Sequence, residues 1–212
     1  MLPRQFDAAF ARTPLIAILR GLRPEEALAV GEALVAAGIG LLEVPLNSPE
    51  PLVSIRLLSQ ALAGRAIVGA GTVMSVSEAE DVARHGGQLV VSPNANPAVI
   101  ARARALGLVS LPGCFTPTEA AIALEAGAHA LKLFPGELVT PASARAMAAV
   151  LPKGTRLILV GGVSAATLPQ WAGGAVQGFG IGSAMFKPGM SAADAGANAA
   201  AFAAAWRGAS GR

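Results

Sequence analysis

Short apolar runs with the length of β-strands alternate with helix-like runs along the whole chain. The first such run covers residues 15–19, and Pro24-Glu25-Glu26 follows it, where a proline and two acids suit the first turn of a helix. Seven further units repeat this order, with strands predicted over residues 41–44, 66–70, 88–91, 108–110, 128–133, 157–160 and 178–181. Strands as apolar as these have no side that faces water, so they predict a parallel sheet covered on both faces.

Eight units of strand and helix account for a single (β/α)8 TIM barrel, although 212 residues lies near the lower limit of about 200 for that fold. The helices are predicted over residues 24–37, 50–62, 75–85, 96–105, 116–126, 141–150, 164–172 and 192–206. An amphipathic segment, Leu2 to Arg12, precedes the first strand and is expected to form a helix that closes the bottom of the barrel. We therefore expect residues 1–212 to form one barrel domain, with a frayed tail at about residues 207–212.

The competing architecture is an open, doubly wound α/β sheet. Such sheets usually have fewer strands than this chain provides. In addition, the segment Gly178-Phe-Gly-Ile-Gly182 lacks the third glycine spacing of a dinucleotide-binding fingerprint. The closed barrel is therefore the favoured prediction.

Composition restricts the kinds of function that the chain can have. Apolar residues make up 53% of it and charged residues only 14%, which indicates extensive burial. The net charge of +3 comes from scattered arginines with few aromatic side chains, which suits small anions better than nucleic acid. The single cysteine, Cys114, excludes an intramolecular disulfide, and His85 and His129 lack the spacing of metal ligands. No secretory signal or membrane-spanning run is evident, so we expect a cytoplasmic protein that binds neither nucleic acid nor membrane.

Lys132 is the residue of greatest chemical interest, because it interrupts the apolar run Ala130-Leu-Lys-Leu-Phe-Pro135 in a predicted buried strand. Burial of an ammonium favours the neutral amine, and a neutral lysine amine can attack a carbonyl to form a Schiff base. Two structural alternatives remain open at this point. Lys132 could extend to water from the end of the strand, or it could be paired with a carboxylate.

Active sites of (β/α)8 barrels are built at the C-terminal ends of the strands. In chain order, the residues at those ends are Arg20, Glu43, Thr72, Pro93, Asn94, Pro112, Gly113, Lys132, Gly161, Gly162, Gly182 and Ser183. Glu43 also interrupts an apolar strand, and from the barrel mouth its carboxylate could act as a general acid and base near Lys132. The alternative is an ion pair in which Glu43 only neutralises Lys132.

Two glycine-containing turns follow the seventh and eighth strands, where barrels commonly hold phosphate on backbone N–H groups. The first turn follows Val160 and contains Gly161 and Gly162, and the second contains Gly182 and Ser183. Arg20, after the first strand, could hold a carboxylate or phosphate by paired hydrogen bonds, or it could be an ordinary exposed loop arginine.

With these residues placed, the chain resembles the 2-keto-3-deoxy-6-phosphogluconate/galactonate aldolase family, which are class I pyruvate aldolases. The resemblance runs almost end to end and rests on the motifs Ile16-Ala-Ile-Leu-Arg20-Gly21, Glu43-Val-Pro-Leu-Asn-Ser-Pro49, Gly69-Ala-Gly-Thr72, Ser92-Pro-Asn94, Pro112-Gly-Cys114, Leu131-Lys-Leu-Phe-Pro135 and Val160-Gly-Gly-Val163. It implies that Lys132 is the Schiff-base lysine and Glu43 the acid/base residue. It also implies that Arg20 and Thr72 contact the substrate and that Gly161, Gly162 and Ser183 hold its 6-phosphate. Further expected substrate-binding residues at the strand ends are Pro93, Asn94, Val160 and Gly182. The resemblance further implies a metal-free homotrimer without a cofactor.

The resemblance also bears on the substrate. The gluconate branch usually carries an arginine and a threonine where this chain has Asn47 and Val160, and both departures resemble the galactonate branch. The segment Phe115-Thr-Pro117 resembles the gluconate branch more. We therefore expect cleavage of 2-dehydro-3-deoxy-6-phosphogalactonate to pyruvate and D-glyceraldehyde 3-phosphate, a step of galactonate degradation. The alternatives are the 6-phosphogluconate epimer as main or additional substrate, and a phosphosugar isomerase or synthase barrel that forms no covalent intermediate.

Overall fold

The computed structural model of the chain describes residues 2–211, which form nine parallel strands and eight α-helices. The strands are β1 (Leu15–Ile18), β2 (Leu41–Pro45), β3 (Ile67–Gly71), β4 (Leu89–Val91), β5 (Val109–Leu111), β6 (Gly113–Cys114), β7 (Leu131–Leu133), β8 (Leu157–Val160) and β9 (Gly178–Ile181). The helices are α1 (Leu2–Arg12), α2 (Pro24–Ala36), α3 (Pro51–Ala61), α4 (Val76–Arg84), α5 (Pro97–Ala105), α6 (Pro117–Glu125), α7 (Pro141–Ala149) and α8 (Ala192–Ser210). Each strand prediction is confirmed to within a few residues.

The sheet closes into a barrel through the fifth predicted strand, which the structure divides into β5 and β6. The strands are hydrogen-bonded in the order β5, β4, β3, β2, β1, β9, β8, β7, β6, so the two ends of the order are consecutive in the chain. Pro112 separates the two pieces, because proline has no N–H to donate to a neighbouring strand. Its carbonyl still accepts from the Lys132 N–H at 2.9 Å, and the Ser110 carbonyl accepts from the His129 N–H at 2.9 Å. The (β/α)8 prediction is therefore confirmed, and the open sheet is excluded.

Alternation along the strands sorts the apolar side chains into two layers. Inward-facing residues such as Ile16, Leu41 and Ile158 form one buried cluster inside the barrel. Outward-facing residues such as Ala17 and Leu42 form a second cluster beneath the surrounding helices. Side chains of adjacent strand residues point to opposite faces, so β2 places every second residue inside the barrel.

Helix α1 seals the N-terminal end of the barrel, as the sequence predicts. Phe6 is fully buried and Phe10 is 7% exposed, and both belong to the interior cluster. Gly178 of β9 makes this contact possible, because a Cβ atom at that position would lie 2.6 Å from the Phe10 ring. The opposite end of the barrel, where the strands end, is not covered by α1 and carries polar side chains.

Two predicted elements differ in the structure. The helix predicted over residues 164–172 is only a 3-10 helix, Leu168–Trp171, because Pro169 lies within it and Gly173 follows at φ 69°. Helix α8 continues to Ser210 rather than ending near residue 206. The predicted frayed tail, residues 207–212, overlaps this helix and reaches outside the described residues, so fraying stays a prediction. Within residues 2–211, no helix combines the length and the apolar character needed to cross a lipid bilayer.

Candidate active site

Lys132 and Glu43 meet inside the mouth of the barrel. Lys132 is the middle residue of β7 and Glu43 the middle residue of β2, and both point inward. Their exposed fractions are 7% and 3%, which excludes the alternative that Lys132 extends into bulk water. The two side chains line one small cavity, whose other walls are Ile16, Ile18, Val91, Leu111, Ile158, Val160 and Gly180.

The apolar walls change the proton affinity of both groups. Burial lowers the pKa of Lys132, an effect that the nearby Glu43 carboxylate opposes and the Arg20 guanidinium reinforces. Burial also raises the pKa of Glu43 to about 7, against the opposing influence of Lys132 and Arg20. A carboxyl group that titrates near neutrality can both accept and donate a proton at physiological pH.

The two groups are close enough to interact electrostatically but are not held in an ion pair. Oε2 of Glu43 is buried without a hydrogen-bond partner among the described residues. The ion pairs found within 4.0 Å in residues 2–211 do not include Glu43 or Lys132. The alternative of a locked Glu43–Lys132 pair is therefore excluded in this structure. An unpaired buried carboxylate oxygen is free to exchange a proton with a bound molecule.

Two neighbouring residues shape the surroundings of this pair. Gly71, at the end of β3, leaves the space that the Glu43 carboxylate occupies, because a Cβ atom there would collide with it. The Phe134 ring lies under the Lys132 amine, with Nζ 4.5 Å from the ring centroid. Phe134 follows Lys132 by two residues, so strand alternation places both on the same side of the chain.

Arg20 lies at the rim, beyond the end of β1. Its side chain is exposed, and Nη1 donates a hydrogen bond of 2.8 Å to Oδ1 of Asn47. The adjacent Gly21 N–H donates to Oγ of Ser48 at 2.9 Å. The loop after β2 therefore holds the loop after β1 and orients its guanidinium, which remains open to solvent for a ligand.

Thr72, Pro93 and Asn94 follow the ends of β3 and β4 on the same side of the barrel. Thr72 has φ 59°, a conformation that is strained for a β-branched residue and is often found at binding sites. Pro93 is half-buried, and its carbonyl packs so closely on Gly113 that a Cβ atom there would collide with it. Asn94 is exposed.

The two glycine-containing turns lie side by side, because β8 and β9 are neighbours with Val160 paired to Gly180. Gly161 and Gly162 have φ 115° and 67°, a backbone conformation that favours glycine. A Cβ atom at Gly182 would meet nothing within 4 Å, and Ser183 after it is exposed. Exposed backbone of this kind is suited to a small anion.

The structure thus brings every predicted site residue to the C-terminal end of the barrel, with Lys132 and Glu43 inside and the remainder around them. The sequence analysis used Asn47 only to choose between the two branches, and it assigned no role to Phe134 or Glu137. The structure places Asn47 on Arg20, Phe134 under Lys132 and Glu137 against the Gly161-Gly162 turn. Of these three contacts, the sequence signalled only that of Phe134, through its two-residue spacing from Lys132. Cys114 is buried, which raises the pKa of its thiol to about 12. In residues 2–211, no cluster of three or more His, Cys, Asp or Glu side chains could hold a metal ion.

Known proteins resemble this chain in sequence and in fold. The sequence model for the aldolases described as KDPG and KHG aldolase matches residues 6–197. A probable 2-dehydro-3-deoxy-6-phosphogalactonate aldolase of Rhizobium meliloti is 48% identical over 85% of this chain and 85% of its own. The 2-dehydro-3-deoxy-6-phosphogalactonate aldolase of Escherichia coli is 44% identical over 92% of this chain and 96% of its own. A solved structure described as native KDPGal superposes with a TM-score of 0.91 at 44% identity, covering 93% of this chain and 96% of that one. The chain therefore belongs to the KDPG and KHG aldolase family.

Proposed function

We propose that the protein is a class I aldolase that cleaves 2-dehydro-3-deoxy-6-phosphogalactonate to pyruvate and D-glyceraldehyde 3-phosphate. The observation that carries this proposal is the buried amine of Lys132 beside the buried carboxylate of Glu43 at the barrel mouth. The remaining residues of the rim supply contacts for the two charged ends of such a substrate.

The first half of the reaction forms the covalent intermediate. The neutral amine of Lys132 attacks the C2 ketone of the sugar acid, and loss of water from the carbinolamine gives an iminium. The lowered pKa of Lys132 supports this step, because it increases the neutral fraction of the amine. Glu43 donates a proton to the departing hydroxyl, a role that suits a carboxyl group whose pKa is about 7.

The second half breaks the C3–C4 bond. A base removes the proton of the C4 hydroxyl, glyceraldehyde 3-phosphate leaves, and the bonding electrons move to the C2–C3 position and neutralise the iminium as an enamine. Protonation at C3, with Glu43 as the proposed donor, gives the iminium of pyruvate. Hydrolysis then releases pyruvate and restores the free amine of Lys132.

The rim residues orient the substrate rather than activate it. In this proposal Arg20 binds the C1 carboxylate, and Thr72, Pro93 and Asn94 line the path of the sugar chain. The turns that follow Val160 and Ile181 hold the 6-phosphate on Gly161, Gly162, Gly182 and Ser183. A fixed phosphate aligns the breaking bond with the iminium and so lowers the entropic part of the barrier.

The galactonate epimer is the preferred substrate for two reasons. Both relatives with 44–48% identity carry its name. In addition, the gluconate branch usually has an arginine at the position of Asn47, which here accepts a hydrogen bond from Arg20. The gluconate epimer remains the alternative. Assays of pyruvate release from both C4 epimers decide between them, and equal rates would contradict the preference for galactonate.

The same proposal includes a metal-free reaction in the cytoplasm. The iminium of Lys132 withdraws electrons from the breaking bond, which is the task of a metal ion in other aldolases. Full activity in the presence of a chelator is the expected result, and a chelator-sensitive rate that added metal restores would contradict it.

We also propose a homotrimer. Four large apolar side chains around α6 and α7 are exposed in the single chain, namely Phe115 (45%), Ile122 (39%), Leu138 (67%) and Val150 (67%). They line two adjoining clefts that share Pro117 and Val150. A contiguous apolar surface of this kind is characteristic of a subunit contact.

Borohydride reduction in the presence of pyruvate tests the central step. We expect a reduced pyruvyl adduct on Lys132, located by mass spectrometry of the digested protein. The Lys153→Arg and Lys187→Arg variants serve as controls that keep Lys132 and must still be labelled. Folded wild-type protein that stays unmodified at Lys132 would reject the Schiff-base mechanism in favour of a non-covalent isomerase or synthase.

A further inference from the structure

Glu137 is held against the proposed phosphate turn by the backbone of its own segment. The residue lies in a 3-10 helix, Gly136–Leu138, shortly after β7. Gly136 packs directly on the end of β8, since a Cβ atom there would lie 2.6 Å from the Gly161 carbonyl oxygen and 2.7 Å from that of Val160. The 3-10 helix therefore cannot withdraw from the turn without losing this contact.

The carboxylate of Glu137 fills the space that the two glycines leave open. A Cβ atom at Gly161 would collide with Oε2 of Glu137 and would lie 2.9 Å from Oε1. A Cβ atom at Gly162 would lie 3.0 Å from Cγ of the same side chain. The space that the two glycines leave beside their backbone is thus already occupied by an anionic group of the protein.

Among residues 2–211, no Lys, Arg or His side chain forms an ion pair with this carboxylate. Glu137 is exposed. At the turn, its side chain occupies the space beside Gly161 and Gly162. A phosphate that approaches the same backbone would meet a second negative charge in high-dielectric surroundings, where repulsion is moderate and salt-dependent.

We propose that Glu137 is a specificity-determining residue that opposes phosphate at the Gly161-Gly162 turn and must be displaced when the phosphorylated substrate binds. The inference rests on the proposed function, because it requires the turn to hold the 6-phosphate. Because of Glu137, the affinity of the protein for the phosphate end of the substrate is lower than the affinity that the glycine turn alone would provide. Acceptors with an uncharged hydroxyl in place of phosphate do not meet this repulsion.

The Glu137→Gln variant tests the proposal, because glutamine keeps the shape of the side chain and removes its charge. We expect KM for the phosphorylated keto acid to fall about 5-fold, with kcat within about 2-fold of wild type, as for the loss of one solvent-screened like charge. Inhibition by inorganic phosphate should strengthen by a similar factor. Both differences from wild type should shrink in about 1 M salt, where the Debye length is only about 3 Å.

Glu32→Gln is the matched control, since Glu32 is also exposed but lies on α2, apart from the glycine turns and from both apolar clefts. It should leave KM and phosphate inhibition unchanged. A KM in Glu137→Gln that is unchanged or higher would overturn the proposal, and a higher value would indicate that the carboxylate binds a substrate hydroxyl instead. Pyruvate trapping on Lys132 separates failure of this proposal from failure of the proposed function. If trapping succeeds while KM does not fall, only the role of Glu137 is rejected.

Discussion

Lys132 and Glu43 show how far single residues can be interpreted from sequence. Each interrupts an apolar strand, and strand alternation alone places both inside the barrel. The sequence could not predict how far apart the two side chains lie. They are near enough to affect each other's pKa, but they do not form an ion pair. That arrangement depends on a glycine of a different strand, Gly71, which makes room for the carboxylate. The location of Glu137 likewise depends on the contact of Gly136 with the end of β8.

Replacement of Lys132 by arginine tests the need for an amine nucleophile. Arginine keeps the positive charge, but its guanidinium stays protonated and is a poor nucleophile. We expect kcat to fall by about 10³-fold or more, as for other covalent catalysts that lose their nucleophile. Pyruvate release followed by a coupled assay measures the change. Lys153→Arg, a substitution at an exposed turn, should keep wild-type turnover.

The burial of Glu43 predicts how the stability of the protein depends on pH. Burial raises its pKa from 4.5 to about 7, so the unfolded chain releases this proton at lower pH than the folded protein does. The stabilising effect of the neutral carboxyl is therefore complete below pH 4.5 and is lost as pH rises through about 7.

In the Glu43→Gln variant this loss is absent, because the amide does not ionise. The free energy of unfolding of the variant relative to wild type should increase by about 3 kcal/mol between pH 4.5 and pH 8, from about 1.4 kcal/mol per pKa unit. Denaturant unfolding across this pH range measures it. A relative stability that decreases as pH rises would contradict the burial argument. Turnover should fall in the same variant, since it lacks the proposed proton donor.

At the level of elements, the sequence predicts strands and α-helices well where apolar periodicity is clear. It fails over residues 164–172, where the side chains of Ser164 and Thr167 bond to each other's backbone and favour a turn. The interruption of the fifth strand at Pro112 also escaped prediction, because a proline near a strand end does not by itself reveal that both pieces pair with different neighbours.

Helix α6 provides a test of the local signals that fix an element. Thr116 accepts from the Glu119 N–H at 3.3 Å, and Oε2 of Glu119 accepts from the Thr116 N–H at 2.8 Å, which is a capping box. Thr116→Ala should lower the free energy of unfolding by about 1 kcal/mol. Thermal or urea unfolding measures the loss. Thr118→Ala, on the exposed surface of the same helix, should be neutral or slightly stabilising.

At the level of the whole molecule, alternation of eight strands and helices sufficed to predict the closed barrel and the plug at its N-terminal end. The manner of closure did not follow from the sequence, because pairing between residues 109–114 and both neighbouring strands is a property of the assembled sheet. The sequence also did not predict the exposed apolar surface around α6 and α7, because the exposure of a side chain depends on how the helices pack.

That surface carries a prediction about assembly. Val150→Glu places a charge where Val150 is 67% exposed in the single chain, and a buried unpaired charge at a subunit contact is strongly unfavourable. We expect the proposed trimer to dissociate to lower mass, as measured by light scattering after gel filtration. Leu28→Glu is the control, because Leu28 is 43% exposed on α2, outside the two clefts. A trimer that survives Val150→Glu would place the contact elsewhere.

The pairing of β1 with β9 has a consequence for biosynthesis. The Pro14 carbonyl accepts from the Phe179 N–H at 2.8 Å, and β1 pairs with β9. Because β1 is synthesised before the other strands of the barrel, one of its edges stays uncovered until β9 has been made. Until then the nascent chain exposes an apolar strand edge that can pair with other chains. We expect ribosome-bound chains that stop before residue 178 to depend on chaperones, and release of the full chain to end that dependence.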